Sequence, residues 1–256
     1  MTSGIYNTDP MESPRYQLEK ARKKFFSVKP LLKEHSDSEP FRVVIEECAS
    51  TENTRILLRR IKNPPMAISD TVNDAFEALR KALDQVGYAI AHKLGKRGKK
   101  CAFPFGDSDK EVRARASGPS AEIPPEIFSI MAQFKPHKEG DKLLWALNEI
   151  ANTSKHRITK VFPNSISQTS IGMARGSGSF SLLGPWDEQK GEMVIAEVGP
   201  ESTFELDGLK FNITLVFGDI PYIESTAIEP VFMYLESKVK QILDAVEAKA
   251  VEMRIF

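Results

Sequence analysis

The order of the predicted elements indicates an α+β fold in which an antiparallel sheet packs on an interleaved helical bundle. Periodicity along the chain runs helix, two strands, helix, short helix, helix, several strands and helix, with no strand–helix–strand alternation. The pattern changes from helical to alternating after about residue 163. We therefore expect one domain over residues 1–256, with a helical core at 66–162, a mainly β segment at 163–220 and a C-terminal helix at 226–252.

The first quarter of the chain is predicted to hold one helical segment and one β-hairpin. Residues 1–13 are polar and are expected to form a loose lead-in. Apolar spacing over 15–34 predicts a helix that kinks or ends near Pro30. Two alternating runs, at 41–47 and 54–61, then predict antiparallel strands.

A long helix is predicted to begin at Ser69 or Asp70, either of which can cap it, and to end near Ala91. Beside its apolar seam, Arg80 and Asp84 are four residues apart, so their side chains are expected to meet. The seam itself steps by four and three residues and predicts packing on another helix: Val72, Phe76, Leu79, Leu83, Val86 and Ile90.

The last hundred residues are predicted to be strands followed by a helix. Residues 165–180 are rich in Ser and Gly, and we expect them to be extended rather than a phosphate loop. A strand is predicted at 192–198, and Asp207-Gly208 predicts a two-residue hairpin turn between alternating runs. The final helix has a seam that favours packing within the chain over a homodimer interface: Phe232, Leu235, Val239, Ile242 and Val246.

Charge and composition restrict the classes of partner. Basic and acidic residues both number 35, so no overall field draws the chain to nucleic acid or to an anionic membrane, and any such contact must be local. No run of apolar residues is long enough to span a membrane and no signal peptide is evident, so we expect a cytoplasmic protein. Cys48, Cys101 and the four scattered histidines fit no metal spacing, and no cofactor is predicted.

The most informative stretch is a predicted helix at 140–157. Apolar residues gather on one face, while Trp145 stands on the polar face, which indicates that this side also packs against protein. Polar groups enclosed in this way need partners. The candidate binding residues of this helix are Trp145, Asn148, Lys155 and Arg157, and its candidate catalytic residues are Asn152 and His156.

A basic loop follows the long helix, with five Lys or Arg residues among positions 93–100 and two glycines between them. It is either a solvated loop or a phosphate contact, since small flexible positions let several cations reach one polyanion. In the second case the binding residues are Lys96, Arg97, Lys99 and Lys100. An apolar extended anchor at 102–106, a linker at 118–125 and a short helix at 126–134 complete this region.

Three segments resemble a broad family of bacterial proteins that has no established activity. The helix at 72–85 resembles that family's "Gly-Asp … Leu-Arg-x-x-Leu-Asp-His" helix, and 102–105 looks like its "Phe-Pro-Ile-Phe" element. The segment 143–157 is similar to its "Leu-Leu-Trp-x-Leu-Asn-Glu … Lys-His-Arg" helix. The resemblance spans roughly residues 41–220 and implies the same order of hairpin and helices.

The helical core of that family is in turn similar to HEPN domains, whose active members cleave RNA with an Arg followed four to six residues later by a His. Here the two halves of the motif stand on different helices. The position five residues after Arg80 holds Gln85, and the position five residues before His156 holds Ala151. Asn152 matches the Asn that often follows the Arg. The resemblance therefore implies a composite site, if the two helices are antiparallel.

Two functions follow for the set Arg80, Asp84, Asn152 and His156. In the first, these residues form a buried polar network that fixes helix packing in a non-enzymatic binding or interaction module, with RNA, a nucleotide or a second copy as partner. In the second, the chain is an RNA-acting enzyme of the toxin or defence type. His156 is then the general acid or base, and Lys155 or Arg157 stabilises charge on phosphorus.

Overall fold

The computed structural model describes residues 9–48, 52–152, 159–175, 178–180, 186–200 and 203–256, with the backbone alone at 159, 161–175, 178–180 and 203–212. The helices are α1 Glu12–Phe26, α2 Val28–Asp37, α3 Met66–Lys93, α4 Asp109–Ala114, α5 Pro125–Gln133, α6 Lys142–Asn152 and α7 Ile228–Glu252. The strands are β1 Phe41–Glu47, β2 Thr54–Arg60, β3 Thr159–Arg175, β4 Gly178–Phe180, β5 Glu192–Val198 and β6 Thr203–Phe217. The predicted α+β class is confirmed.

The chain forms two compact units, each assembled from separate stretches of sequence. The helical unit comprises Met1–Val28, Ser69–Lys160 and Val216–Phe256. The β unit comprises Lys29–Ile68 and Val161–Leu215.

An aromatic cluster lies at the centre of the helical unit. The rings of Phe25 in α1 and Phe232 in α7 stack with centroids 3.9 Å apart. Phe76 of α3 meets Phe232 edge-on at 5.6 Å and lies 5.6 Å from Phe217, at the end of β6. Rings in these orientations add attraction to the large apolar area that they bury. The cluster therefore joins three helices and a strand end.

Both predicted helical seams are buried. Every seam residue of α3 and of α7 is fully shielded from solvent. The seam of α7 therefore packs within the chain, as its spacing predicts. The predicted start of α3 at Ser69 or Asp70 is wrong by three to four residues, since the helix begins at Met66 after the two prolines and Ile68 already donates to the carbonyl of Pro65.

A glycine in α3 allows the chain to cross that helix closely. An ideal Cβ on Gly87 would stand 2.0 Å from the carbonyl oxygen of Cys101, so no side chain fits there. Beyond this crossing, Phe103 and Phe105 are buried, which confirms the predicted apolar anchor. The crossing brings the segment after the basic loop onto α3 beside Asp84.

The predicted break of the first helical segment near Pro30 is confirmed, while other boundaries in this part of the chain differ from the prediction. α1 ends at Phe26, before Pro30, because a proline has no N–H to donate to the carbonyl four residues earlier. Pro30 instead lies in the first turn of α2, where that donor is not needed. α1 begins at Glu12, inside the predicted lead-in, whose residues 1–8 lie outside the described part of the chain. α4, with the Ser108 side chain as its cap, falls where no helix was predicted.

The β unit contains the predicted hairpin. β1 and β2 pair antiparallel, and β5 and β4 extend the sheet antiparallel in the order β1-β2-β5-β4. Its apolar face holds Ile56, Leu58, Met193, Ile195 and Ala196. The Ser- and Gly-rich stretch at 165–180 is extended where described, as predicted.

One β prediction is wrong. Asp207-Gly208 was expected to be a hairpin turn, but it lies inside the continuous strand β6. β6 pairs with β3, a strand of 17 residues, in a separate two-stranded sheet. A long neighbouring strand supplies backbone partners along its length, so the local turn preference of Asp-Gly does not reverse the chain.

Candidate functional site

Arg80, which lies beside the apolar seam of α3, meets the polar face of α6. Its Nε donates to Oδ1 of Asn148 across 3.3 Å. Its Nη1 forms an ion pair with Asp84 one turn further along α3, as the spacing predicts. The guanidinium also lies 4.5 Å from the centre of the Phe105 ring, within range of a cation–π contact. Arg80 is therefore held from three sides.

Asp84 connects this pair to the crossing segment. Its Oδ1 accepts a hydrogen bond of 3.1 Å from the backbone N–H of Phe103. The carboxylate thus contacts a guanidinium of α3 and a backbone amide of the crossing segment at once, and holds the two together. The side chain of Arg80 is only 18% exposed, against 42% for Asp84. The set formed by Arg80, Asp84, Asn148 and Phe105 is called the Arg80 network below.

Trp145 is the residue that singled out α6, and it is buried. Its indole Nε1 donates to Oδ1 of Asp107 across 3.1 Å. The other oxygen of Asp107 accepts from Lys138 at 2.8 Å, and this hydrogen bond is the main reason that the pKa of the Asp107 carboxyl is lowered. Tyr222 meets the indole edge-on at 5.5 Å. The predicted packing of Trp145 against protein is thus confirmed.

Asp141 organises the start of α6. Its Oδ1 accepts from the backbone N–H of Leu144, which caps the helix. Its Oδ2 accepts from the hydroxyl of Tyr234 at 2.6 Å and lies 3.4 Å from Nζ of Lys238, both on α7. Burial, followed by the hydrogen bond to Asp141, raises the pKa of the Tyr234 hydroxyl. Sequence reasoning missed this cluster, because nothing local signals that α7 supplies the partners.

The structure tests the composite site only in part. Arg80 does meet α6, but at Asn148 rather than at Asn152, one turn later. Asn152 is the last residue of α6 and is exposed. Lys155, His156 and Arg157 lie outside the described residues.

The basic loop is exposed and partly anchored. Nζ of Lys96 donates to the carbonyl of Glu122 at 3.0 Å, and the backbone N–H of Lys99 donates to the Glu122 carboxylate at 3.1 Å. Arg97 and Lys100 are exposed as well. Among the residues that the structure describes, no carboxylate forms an ion pair with the side chain of any of these four. The charges predicted to contact phosphate are thus presented to solvent.

A cleft between α1 and the end of α3 was not predicted. It has a volume of about 800 Å³ and is lined by Tyr16, Tyr88 and His92, among others. The sequence does carry a signal, since both tyrosines stand on helix faces otherwise occupied by polar residues. In the structure both side chains are largely exposed. No spacing along the chain predicts the cleft, because its walls come from two helices that are distant in sequence.

The described part of the chain contains neither a candidate metal cluster nor a candidate membrane-spanning helix. No cluster of three or more His, Cys, Asp or Glu side chains in that part is arranged to hold a metal ion. Within the same residues, no helix is both long and apolar enough to cross a membrane.

The comparisons with known proteins give no family. No protein-family model matches the chain, and no curated protein or solved structure matches it significantly.

Proposed function

We propose that the chain is a non-enzymatic, HEPN-like binding or interaction module in which the α3–α6 polar contacts are architectural. One observation carries the proposal: Arg80 is held by protein groups from two helices and the crossing segment, with Asp84, Asn148 and the Phe105 ring around it. Contacts of this kind hold a guanidinium between packed elements, which is what an arginine that fixes packing requires.

The proposed partner is RNA or a nucleotide, and the supporting feature is the basic loop at 93–100, whose cations face solvent. A second copy of the chain is the other partner that we consider, and its interface would have to lie elsewhere than the buried seam of α7. The proposed location is the cytoplasm, which the low cysteine content of the sequence, Cys48 and Cys101, supports.

The architectural role is tested by the variant Arg80→Met, which keeps the stem of the side chain and removes its donors. We expect a loss of about 1–3 kcal/mol in the free energy of unfolding, because Asn148 and Asp84 lose partners in a partly enclosed site. The measurement is chemical denaturation followed by circular dichroism.

The matched control is Arg113→Met. Arg113 pairs with Asp109 over the same spacing of four residues, but both side chains are well exposed, at 72% and 50%. Exposed pairs of this kind contribute little to stability, so we expect a much smaller loss than in Arg80→Met. Equal losses in the two variants would contradict an architectural role for Arg80.

A second candidate is an RNA-acting enzyme with His156 as acid or base. One contact favours it: the hydrogen bond between Arg80 and Asn148 brings the Arg-bearing helix to the helix whose continuation in sequence carries His156. Growth of cells that express the wild type or His156→Ala separates the two functions. Toxicity that disappears in His156→Ala supports the enzyme, and equal growth supports the binding module.

A further inference from the structure

A second pocket lies where the start of α6 meets α7. Its volume of about 600 Å³ falls in the range of pockets that hold small ligands. Three lysines, one carboxylate and one phenol are among the residues that line it: Lys135, Lys142, Lys238, Asp141 and Tyr234. All of them belong to the helical unit. This cavity is called the α6 pocket below, and its lining carries an excess of positive charge.

Asp141 is the one acid among the described residues that line the α6 pocket, and its charge is offset by protein. Its Oδ1 accepts from the N–H of Leu144, and its Oδ2 accepts from the hydroxyl of Tyr234 and lies 3.4 Å from Nζ of Lys238. Its side chain is only 11% exposed. Because Lys238 balances this carboxylate, the ammonium groups of Lys135 and Lys142 decide the charge that a ligand meets.

Lys135 and Lys142 are exposed. Among the residues that the structure describes, no carboxylate forms an ion pair with either side chain. Lysine binds phosphate as a compact point charge on a flexible stem, so two such side chains at one pocket favour an anion there. The chemistry of this lining therefore indicates a phosphate group.

The backbone fixes Lys135 at the edge of the α6 pocket. Its φ of 51° is left-handed, which is unfavourable for a residue with a side chain. Its carbonyl accepts from the N–H groups of His137 at 2.7 Å and Asp141 at 2.8 Å. An ideal Cβ on Gly140 would stand 2.5 Å from that same carbonyl oxygen, so the loop has no room to relax there. Strained residues that their surroundings hold in place are concentrated at ligand sites.

Tyr222 adds an exposed aromatic ring beside this charge. Nζ of Lys142 lies 5.7 Å from the centre of the ring, and Trp145 meets it edge-on at 5.5 Å. Tyr222 is nevertheless 61% exposed, and it too has a left-handed backbone, with φ at 67°. A ring that is held by neighbours and still open to solvent offers a surface on which a base can stack. A phosphate group attached to a planar base therefore matches the site.

We propose that the α6 pocket binds the phosphate of a nucleotide, free or as a unit of single-stranded RNA, at Lys135 and Lys142, and that the base stacks on Tyr222. The inference rests on the proposed binding function and gives it a location. It uses no residue of the Arg80 network or of the basic loop, so each of the three can fail separately.

Binding is measured by calorimetric titration of the full chain with inorganic phosphate, AMP and single-stranded oligo(rA) of about eight nucleotides. We expect AMP to bind more tightly than inorganic phosphate, because its base adds stacking on Tyr222. Saturable binding of AMP supports a free nucleotide as the ligand, and binding of oligo(rA) alone supports a strand. If neither binds at millimolar concentration, the proposal is overturned.

Charge variants test the phosphate contact. Lys135→Asn removes the ammonium group with a residue that tolerates left-handed backbone, and Lys142→Gln removes the other, so we expect each to weaken binding several-fold. Together they should reduce the salt dependence of oligo(rA) binding by about 1.4 in the slope of log K against log salt, about 0.7 for each lost phosphate contact. Lys135→Arg should keep most of the affinity. The control is Lys190→Gln, at an exposed lysine of the β unit, which should bind as the wild type does. Wild-type affinity in the double variant would falsify the proposal.

Ring variants test the position of the base. Tyr222→Leu is expected to weaken the binding of AMP about tenfold and to leave that of inorganic phosphate unchanged, whereas Tyr222→Phe keeps the ring and most of the affinity. The matched control is Tyr16→Leu on α1, because Tyr16 is also 61% exposed and does not line the pocket. Equal affinities for AMP in Tyr222→Leu and Tyr16→Leu would contradict the stacking, and circular dichroism verifies that each variant is folded.

A variant of the basic loop separates this site from the proposed function. It replaces four cations by glutamine: Lys96, Arg97, Lys99 and Lys100. If this variant loses oligo(rA) while the Lys135 and Lys142 double variant keeps it, the α6 pocket is overturned and the binding function stands with the loop. If the wild type binds neither AMP nor oligo(rA), the nucleotide partner fails with the pocket, and the architectural role is still decided by Arg80→Met.

Discussion

The indole Nε1 of Trp145 donates to Oδ1 of Asp107 across 3.1 Å, and this bond explains why a tryptophan stands on the polar face of α6. The ring contributes apolar area to the helical unit, and its N–H reaches an acceptor on the loop before α4. The polar face of α6 is thus a second packing surface.

Trp145→Phe tests this bond. The phenyl ring retains much of the apolar contact but has no N–H, so we expect a loss of about 1–2 kcal/mol in the free energy of unfolding, from the hydrogen bond and the smaller ring. Urea denaturation provides the measurement. Asp107→Asn is the companion variant, since its side-chain oxygen still accepts from the indole. An unchanged midpoint in Trp145→Phe would show that the bond contributes nothing.

The Asp107 carboxyl predicts a dependence of stability on acid pH. Its pKa lies below the ordinary value of 3.8, chiefly because of the hydrogen bond from Lys138. A depressed folded-state pKa means that the contribution is present above the ordinary value and is lost as the pH falls through the folded value. The difference in urea midpoint between wild type and Asp107→Asn should therefore be full at about pH 7 and shrink below about pH 4. A constant difference would contradict the assignment.

His35 predicts a second pH effect, in the β unit. Its ring is 4% exposed, and burial, followed by the charges of Lys62 and Arg60, lowers its pKa below the ordinary 6.5. The unfolded chain then takes up a proton more readily than the folded one, so stability should fall as the pH drops from about 7 to about 5. His35→Gln should remove that part of the slope. An unchanged slope in His35→Gln would contradict this assignment.

Gly87→Ala tests the crossing of α3. In an ordinary helix this substitution stabilises by about 1 kcal/mol. Here the added Cβ would meet a backbone carbonyl at 2.0 Å, and a backbone atom cannot turn away as a side chain does. We expect a net loss of about 2 kcal/mol or more, measured as a lower urea midpoint. A stabilised variant would mean that the crossing segment moves aside freely.

The sequence predicted correctly the elements and contacts that depend on local periodicity. The seams of α3 and α7, the hairpin of β1 and β2, and the pair Arg80–Asp84 are all set by residues close together in the chain. It failed at Asp207-Gly208, where a distant strand decides the local conformation. The prediction of one domain stays a prediction, while the division into two compact units becomes visible only from the structure.

For the candidate site, the sequence predicted which side chains face protein, but not which residues they contact. Trp145 and Asn148 were expected to face protein, and they do. That Asp107 receives the indole and that Tyr234 meets Asp141 depends on long-range packing, which no spacing rule encodes. The cleft was missed for the same reason, because its walls come from helices about seventy residues apart in the chain.

The stacked pair of Phe25 and Phe232 has a consequence for the synthesis of the chain. The two rings are separated by most of the sequence, yet they lie 3.9 Å apart at the centre of the helical unit. On the ribosome, α1 is made long before its partner helix and exposes Phe25 until α7 emerges. Contacts of such high sequence separation form late and slowly, and nascent chains that expose apolar surface are prone to aggregate. The stacked pair can therefore form only after α7 has been made.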